Sequence, residues 1–427
     1  MQTIVIVGGG AGGLELATRL GKSMGRSGRA KVILVDRSPT HFWKPLLHTV
    51  ASGKRDPQVF QIAYSAQAAQ HGFSFVHAEL RSVDRAQRTL ELAPCLSDEH
   101  GAAPALRTLG YTTLVLALGA VTNFYGVPGA AEHVRTLDNV REAKDFYRRF
   151  FGACVRASEG AGGQVNIVIV GGGATGVELA AELGYSARVL ARYKVHTLDP
   201  ARDVRITIVE RGARLLPHLP EEQSARAEAY LRKRGIGIRT STAVTSVAED
   251  TVLLGDGEVQ PASLTLWAAG VQGPAICESL SLPLSRMRQV MVTASLQSVD
   301  DPNVFAIGDC ASFICPVKGV APPRAQVAHQ QALFLADALS RAAGQPLPAF
   351  CFRDYGSLVS LGPVAAIGVL FGGAAGRALP VNGSLANLLY GLMYQKHLMA
   401  LHGFARAAAV TLADWLRKRI SPSVKLH

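Results

Sequence analysis

The chain is predicted to be an α/β protein, with two parallel-sheet units nested in sequence and a helical C-terminal region. Three observations carry this reading. A β-branched run opens into a glycine-rich turn and a helix at the N-terminus, the same succession returns near residue 167, and beyond residue 381 apolar residues recur at helical spacing. The 427 residues allow two or three domains at about 100 to 200 residues each. Hydrophobic residues make up 48% and charged residues 18%, which excludes a disordered chain, and the length excludes a small disulfide-stapled scaffold. Lys plus Arg number 44 against 32 Asp plus Glu, and the resulting charge of +12 favours an anionic partner such as membrane lipid, nucleic acid or a phosphorylated ligand.

The first unit begins with the β-branched run Thr3 to Val7, followed by Gly8-Gly9-Gly10-Ala11-Gly12-Gly13 and the helical stretch Leu14 to Leu20. A second run, Val32 to Val35, ends in Asp36 and completes a βαβ unit. Each part has a physical task in dinucleotide binding. Gly8 permits the tight turn, Gly10 lets backbone approach a pyrophosphate, Gly13 allows close helix packing, and Asp36 accepts ribose hydroxyl hydrogen bonds. A lone glycine loop is weak evidence beside the plainer reading of a glycine-rich turn. The order strand, glycines, helix, strand, acid favours the nucleotide.

The pattern recurs. Ile167 to Val170 leads into Gly171-Gly172-Gly173-Ala174-Thr175-Gly176 and the helical Val177 to Leu183, and Ile206 to Val209 ends in Glu210. Gly171, Gly173 and Gly176 repeat the three glycine roles. Glu210 comes later than the usual spacing, which is read as an insertion over Tyr185 to Arg205. A carboxylate there repels a ribose 2′-phosphate and favours NAD over NADP, although Arg211 stands beside it. Two such units in one chain mean two dinucleotides, and the chemical use of that pairing is a flavin facing a nicotinamide for hydride transfer.

Six cysteines lie scattered with no C-x-x-C, which fits a reducing compartment, and the N-terminus lacks the features of a secretory signal. The long uncharged stretch from Tyr355 to Gly376 carries seven residues that are Gly or Pro and suits strands and turns better than a bilayer span. The uncharged stretch from Ala378 to Gln395 is broken by Pro380, Asn382 and Gly383 and is not expected to span either.

These loops make the sequence similar to the two-dinucleotide-binding-domain flavoproteins. Leu114 to Gly119 resembles the strand that returns to the flavin domain, Leu264 to Gly270 its counterpart in the NAD domain, and Asn303 to Asp309 the second flavin motif, with Gly308 and with Asp309 on the ribityl chain. Within that superfamily the chain resembles the bacterial type II NADH:quinone oxidoreductases through Trp43-Lys44-Pro45-Leu46-Leu47-His48, Gly171 to Leu183, Pro322 to Gln330, Tyr355 to Leu361 and the tail ending at His427. The resemblance implies a non-proton-pumping respiratory flavoenzyme with non-covalent FAD, NADH as substrate and a membrane quinone, ubiquinone or menaquinone, as acceptor. It places Glu178 toward flavin and nicotinamide, where it mediates proton movement or simply stabilises a helix N-terminus. Gln326 and Gln330, one helical turn apart, are able to hold a quinone carbonyl, with His329 a helix residue beside them. Lys44 either stabilises the anionic reduced flavin or is a solvated cation.

The implied organisation is two Rossmann-like domains: an FAD-binding domain at 1–125 and 285–375, an NADH-binding domain at 126–284, and a membrane-binding tail at 376–427. Disulfide reductases of the superfamily carry a C-x-x-x-x-C that His41 to Gly53 lacks. Cys310 and Cys315 have that spacing in the wrong place. A sulfide:quinone oxidoreductase acting through Cys154 and Cys351 is the enzyme alternative, and the intact second glycine loop argues against it. An NADH-sensing flavoprotein that acts through partner binding is the non-enzyme alternative. No metal site and no basic, aromatic-interleaved nucleic-acid module is evident.

From Val381 to His427 the chain carries Lys396, Arg406, Arg417, Lys418, Arg419 and Lys425 against one acid, Asp414. Leu385, Leu388, Leu389, Leu392, Met393 and Lys396 recur at helical spacing, with Asn387, Tyr390, Tyr394 and Gln395 off the stripe. A second helix carries Phe404, Ala408, Leu412, Trp415 and Leu416. Amphipathic helices lying on an anionic membrane surface, at the cytoplasmic face of the inner membrane, are the expectation, and packing against the catalytic domains or a homodimer partner is the alternative.

Overall fold

The computed structural model describes all residues except 96–104, 160–162, 196, 316–318, 342–344, 373–376, 421–423 and 425–427. The strands that matter below are β1 (Gln2–Val7), β2 (Ala30–Asp36), β3 (Ser74–Asp84), β4 (Thr89–Pro94), β5 (Arg107–Gly110), β6 (Thr113–Leu116), β7 (Val165–Val170), β8 (Val204–Val209), β9 (Gly237–Arg239), β10 (Leu264–Trp267), β11 (Val304–Ala306), β12 (Gly356–Ser360), β13 (Ala366–Gly372) and β14 (Arg377–Asn382). The helices are α1 (Ala11–Leu20), α2 (Leu47–Ala51), α3 (Val140–Ser158), α4 (Ala174–Arg192), α5 (Ala325–Leu339), α6 (Gly383–His402) and α7 (Phe404–Ile420).

One compact unit comprises Met1–Lys44, Phe60–Val121 and Val271–Arg353. Its sheet runs β11-β6-β1-β2-β3-β4-β5, parallel from β11 to β3 and antiparallel thereafter. Ile4 to Val7 are buried on both faces of the sheet, which explains an unbroken β-branched run where a one-sided strand would alternate. Val5, Val7, Ile33, Val35, Leu114 and Leu116 form one core face with Leu90 and Leu92, and each such side chain contributes about 1.5 to 3 kcal/mol of burial. β1 lies between β2 and β6. The order of connection therefore reverses at its C-terminal end, where α/β sheets open a crevice for ligands.

The other unit comprises Pro45–Val59, Thr122–Gly270 and Asp354–His427. Its parallel sheet repeats the arrangement as β9-β8-β7-β10, with β7 between the strand that follows it and the strand that returns. The late arrival of Glu210 has a simple cause: α4 runs 19 residues where α1 runs 10, and a turn and a one-turn helix, Pro200–Asp203, then lead into β8. α2 packs against α3 and α4.

The uncharged stretch after Tyr355 forms β12 and β13, which with β14 make an antiparallel sheet that α6 packs against. No described helix is long and apolar enough to cross a membrane. Most of the stripe on α6 faces outward, with Leu385, Leu388 and Leu392 at 58%, 62% and 51% exposure, whereas Leu389 packs inward against the core around Ala366 and Ala386, and Ala386, His397, Leu398 and Leu401 are buried. The polar side chains off the stripe turn inward and find partners. Asn387 Nδ2 donates to the Pro363 carbonyl, Gln395 pairs with Thr411 of α7, and Tyr394 lies beneath the Arg55 guanidinium. The protein-facing side of the helix thus combines apolar Ala386, Leu398 and Leu401 with these polar partners, and leucines also face outward. The side chains of Lys418 and Arg419, and Lys425 itself, lie outside what the structure describes.

Candidate functional site

The two glycine loops have the same construction. The Gly8 and Gly171 amides donate to the Val35 and Val209 carbonyls, each at 2.8 Å, and both glycines have positive φ, 103° and 111°. A Cβ on Gly13 would collide with the Gly8 carbonyl oxygen, and one on Gly176 with that of Gly171. Asp36 accepts hydrogen bonds from the Gly9 and Ser38 amides, while Glu210 accepts from Gly172 and Gly212, each at 2.6 Å. In both loops the acid fixes the second glycine and the residue two positions beyond itself. Carboxylate oxygens have two acceptor sites each, which leaves capacity for ribose hydroxyls. Burial raises the Asp36 pKa, against those two amides.

Gly10 and Gly173 stand apart from the other glycines of their loops. Their φ angles, −65° and −73°, suit any residue, and a Cβ on either meets no protein atom within 4 Å. Nothing in the protein requires glycine at these positions. Each is the N-cap of α1 or α4, and neither helix has a side-chain cap or an acid in its first turn. α3, by contrast, is capped by Asn139, which accepts from the Glu142 amide. Two uncapped, positively polarised helix ends with open space before them fit two dinucleotide pyrophosphates.

In the first unit Gly119 has φ 69° with open space around it, and Gly308 has φ 72°. The Gly308 amide donates to Gln331 Oε1 at 2.7 Å. Asp309 has a pKa raised by burial and moderated by the Lys44 charge, and Lys44 Nζ donates to the Ala120 carbonyl at 2.8 Å. Lys44 is therefore a tethered cation facing the second flavin motif. In the second unit Gly270 has φ 75°, and a Cβ there would collide with the Tyr125 hydroxyl.

Three successive residues of α5 tie it to three partners. His329 Nδ1 meets Glu15 Oε2 of α1 at 2.5 Å, the Gln330 amide grips the Arg353 backbone at both N–H and carbonyl, and Gln331 holds Gly308. Gln326 lies one turn earlier, partly buried. His329, read as an incidental helix residue, is thus an anchor.

Glu178 lies within α4 in a buried polar cluster of the second unit. Its Oε1 accepts from the Ser360 amide at 3.0 Å, its carboxyl is hydrogen-bonded to the Tyr390 hydroxyl, and Oε2 lies 3.4 Å from His48 Nδ1. Burial pushes its pKa up to about 8, against the Ser360 and Tyr390 hydrogen bonds and helped by nearby Glu182. Burial together with the Lys54 and Arg55 charges lowers His48 to about 3. The pair at neutral pH is consequently a carboxylic acid beside a neutral imidazole rather than an ion pair, and His48 Nε2 has no protein partner. One turn along α4, Glu182 bonds Lys54 Nζ at 2.6 Å.

The buried thiols of Cys154, Cys277 and Cys310 are poor nucleophiles. Burial pushes Cys154 and Cys310 each up to about 12 and Cys277 to about 11. Cys310 does not face Cys315; its sulfur contacts the Leu116 and Ile307 carbonyls.

The contributions of His41, Tyr64, Gln331, His48 and Tyr390 were missed by sequence reasoning. His41 and Tyr64 bond the Gly9 carbonyl. Only His48 carried a signal, its place at the end of the Trp43 to His48 stretch.

The family model for pyridine nucleotide-disulphide oxidoreductases matches residues 2–332. A type II NADH:quinone oxidoreductase from Haemophilus influenzae is 38% identical over 445 residues, covering 100% of both chains. Among solved structures, NDH2 from Plasmodium falciparum in complex with NADH aligns over 99% of this chain and 100% of its own, with TM-score 0.82 and 17% identity. The Aquifex aeolicus sulfide:quinone oxidoreductase aligns over 94% and 92%, with TM-score 0.71 and 18% identity. The last two show a shared fold, whereas the full-length likeness to the Haemophilus protein and the matched glycine loops settle the lineage: the chain belongs to the pyridine nucleotide-disulphide oxidoreductases, within the type II NADH:quinone oxidoreductase family.

Proposed function

We propose that the chain is a flavoenzyme that oxidises NADH and reduces a membrane quinone through FAD without pumping protons. The observation that carries this reading is the second glycine loop, complete with Glu210 and the open space at Gly173, since a sulfide oxidase has no use for it. FAD, when bound, accepts the two electrons of a hydride from NADH and passes them to the quinone.

The residues divide that work. In the first unit the amides at the start of α1 and the room at Gly10 receive the flavin pyrophosphate, Asp36 takes the adenosine ribose, and Asp309 with Gly308 and Gly119 lines the ribityl side. Lys44 supplies positive charge for an anionic ring. In the second unit Gly171, Gly173, Gly176 and Gly270 shape the NADH cradle, and Glu210 holds the ribose hydroxyls and disfavours a 2′-phosphate. Gln326 presents an amide to the acceptor. Gln330 positions the chain at Arg353 with one amide hydrogen to spare. Reduction of a quinone to a quinol by NADH takes up one proton, and Glu178, protonated up to about pH 8, is the reservoir that hands it on.

The tail lays the outward residues of α6 and α7 in the headgroup region of the inner membrane's cytoplasmic face, as a peripheral attachment. Inward polar atoms and outward Leu385, Leu388, Leu392, Phe404 and Trp415 support this placement. Anaerobic stopped-flow with the flavin-replete protein tests the function. NADH should bleach the flavin rapidly, NADPH and sulfide slowly, and a soluble quinone should restore its colour. Bleaching by sulfide as fast as by NADH would overturn the reading.

A further inference from the structure

Cys315 and Cys351 lie 36 residues apart in sequence, and their sulfurs are 3.6 Å apart in the first unit. Neither is in a disulfide, and their settings differ: Cys315 is buried and Cys351 is exposed. Aromatic packing fixes the approach. Phe313, two residues before Cys315, packs on Phe350, the neighbour of Cys351, with ring centroids 5.1 Å apart, and Phe334 of α5 packs on Phe350 at 5.4 Å. Phe313 and Phe350 are both buried, and the Phe350 amide donates to the Ala294 carbonyl at 2.8 Å. The two backbones are held in place with their thiols facing.

We propose that Cys315 and Cys351 form a reversible thiol–disulfide switch that acts on the acceptor side of the enzyme. An exposed thiol beside a buried resolving thiol is the arrangement of redox-sensing cysteines, and transient disulfides of this kind occur in reducing compartments. The oxidant is hydrogen peroxide. Peroxide oxidises the Cys351 thiol to a sulfenic acid and is reduced to water. The Cys315 sulfur then attacks the sulfenic sulfur, the S–O bond breaks, a second water leaves, and the S–S bond forms. A dithiol reductant returns both thiols.

The bond would enclose α5 in a covalent loop. Cys315 pairs antiparallel with Gly319 upstream of α5, and Cys351 lies two residues from Arg353, whose backbone Gln330 grips. Closing the sulfurs from 3.6 Å to the S–S distance takes an approach of about 1.5 Å, shared between side-chain rotation and the two flanks, and a shift of even part of that size at a substrate-positioning segment slows turnover by about tenfold. The covalent part of the proposal stands on geometry alone. The kinetic part rests on the acceptor reading of Gln326 and Gln330.

The test treats full-length, flavin-replete protein with a small excess of hydrogen peroxide, blocks remaining thiols with N-ethylmaleimide, and maps peptides without reduction. A cross-linked peptide pair containing Cys315 and Cys351, lost on dithiothreitol treatment and absent from Cys351→Ser, is expected. Alkylated Cys315 beside over-oxidised or alkylated Cys351 would overturn the switch. On the cross-linked protein, reoxidation of reduced flavin by quinone should slow by about tenfold, while reduction by NADH is unchanged. Cys351→Ser should keep its full rate under peroxide. An unaltered reoxidation rate in fully cross-linked protein would overturn the kinetic role and leave the NADH:quinone assignment standing, because that assignment is read on the reduced protein.

Discussion

Gly10 and Gly13 belong to one turn and are glycine for different reasons, one to leave room for something outside the protein and one to avoid a collision within it. Gly13→Ala is expected to damage folding. Gly10→Ala should fold, with an unchanged circular dichroism spectrum, and purify with little flavin. Gly173→Ala should purify flavin-replete but show a KM for NADH raised by about tenfold, the size of one lost charge-assisted contact. Glu210→Gln, which removes the charge and keeps one acceptor oxygen for the Gly172 or Gly212 amide, should narrow the preference for NADH over NADPH by about tenfold; equal use of both cofactors by the wild type would remove Glu210 from that role. Both loops and both acids were legible in the sequence because their partners lie within one βαβ unit. Gln331 and His48 were not, since each meets its partner across long stretches of chain, and no local spacing records the meeting.

At the scale of elements, α6 reaches into the polar cluster around Glu178 through Tyr390. The charge of Glu182 raises the Glu178 pKa and the Tyr390 hydroxyl lowers it, so two substitutions should move it in opposite directions. The rate of quinone reduction should decline as pH rises through about 8, where Glu178 gives up its proton. Glu182→Gln should shift that decline to lower pH and Tyr390→Phe to higher pH. Shifts in the same direction would mean that a different group controls the limb. The periodicity of α6 was visible in the sequence, but its orientation was not. A stripe of leucines reads the same whether it faces a core or a membrane, and only the partners of Asn387, Tyr390 and Gln395 decide. Truncation before Val381 therefore removes more than an anchor, because it strips Glu178 of a hydrogen-bonding partner and uncovers β12 and β13.

For the whole molecule, substitution serves better than truncation. Leu388→Gln with Leu392→Gln should leave NADH-driven flavin reduction intact while reducing flotation with anionic vesicles and the rate with a membrane-embedded quinone. Salt should release the wild-type protein only in part, since ions screen charges beyond about 8 to 10 Å but leave apolar burial untouched. Detergent should release it fully. Flotation of the double variant equal to wild type would place the attachment elsewhere. Composition favours an anionic partner, and the charge of +12 says neither which one nor where it binds. The duplicated supersecondary unit declared the fold because it is written twice.

The outward leucines of α6 also bear on how the enzyme can be handled. Its outward residues, Leu385, Leu388, Leu392, Met393 and Met399, are exposed, while every polar partnership described for the helix points the other way. Surface redesign is thereby separated from the buried polar cluster around Glu178. Recolouring those five positions with Glu, Lys and Gln, with Phe404, Leu412, Trp415 and Leu416 of α7 treated likewise, is expected to yield a detergent-free, monodisperse preparation. Tyr390 and Glu178 would stay untouched, and a water-soluble quinone would become the natural assay substrate.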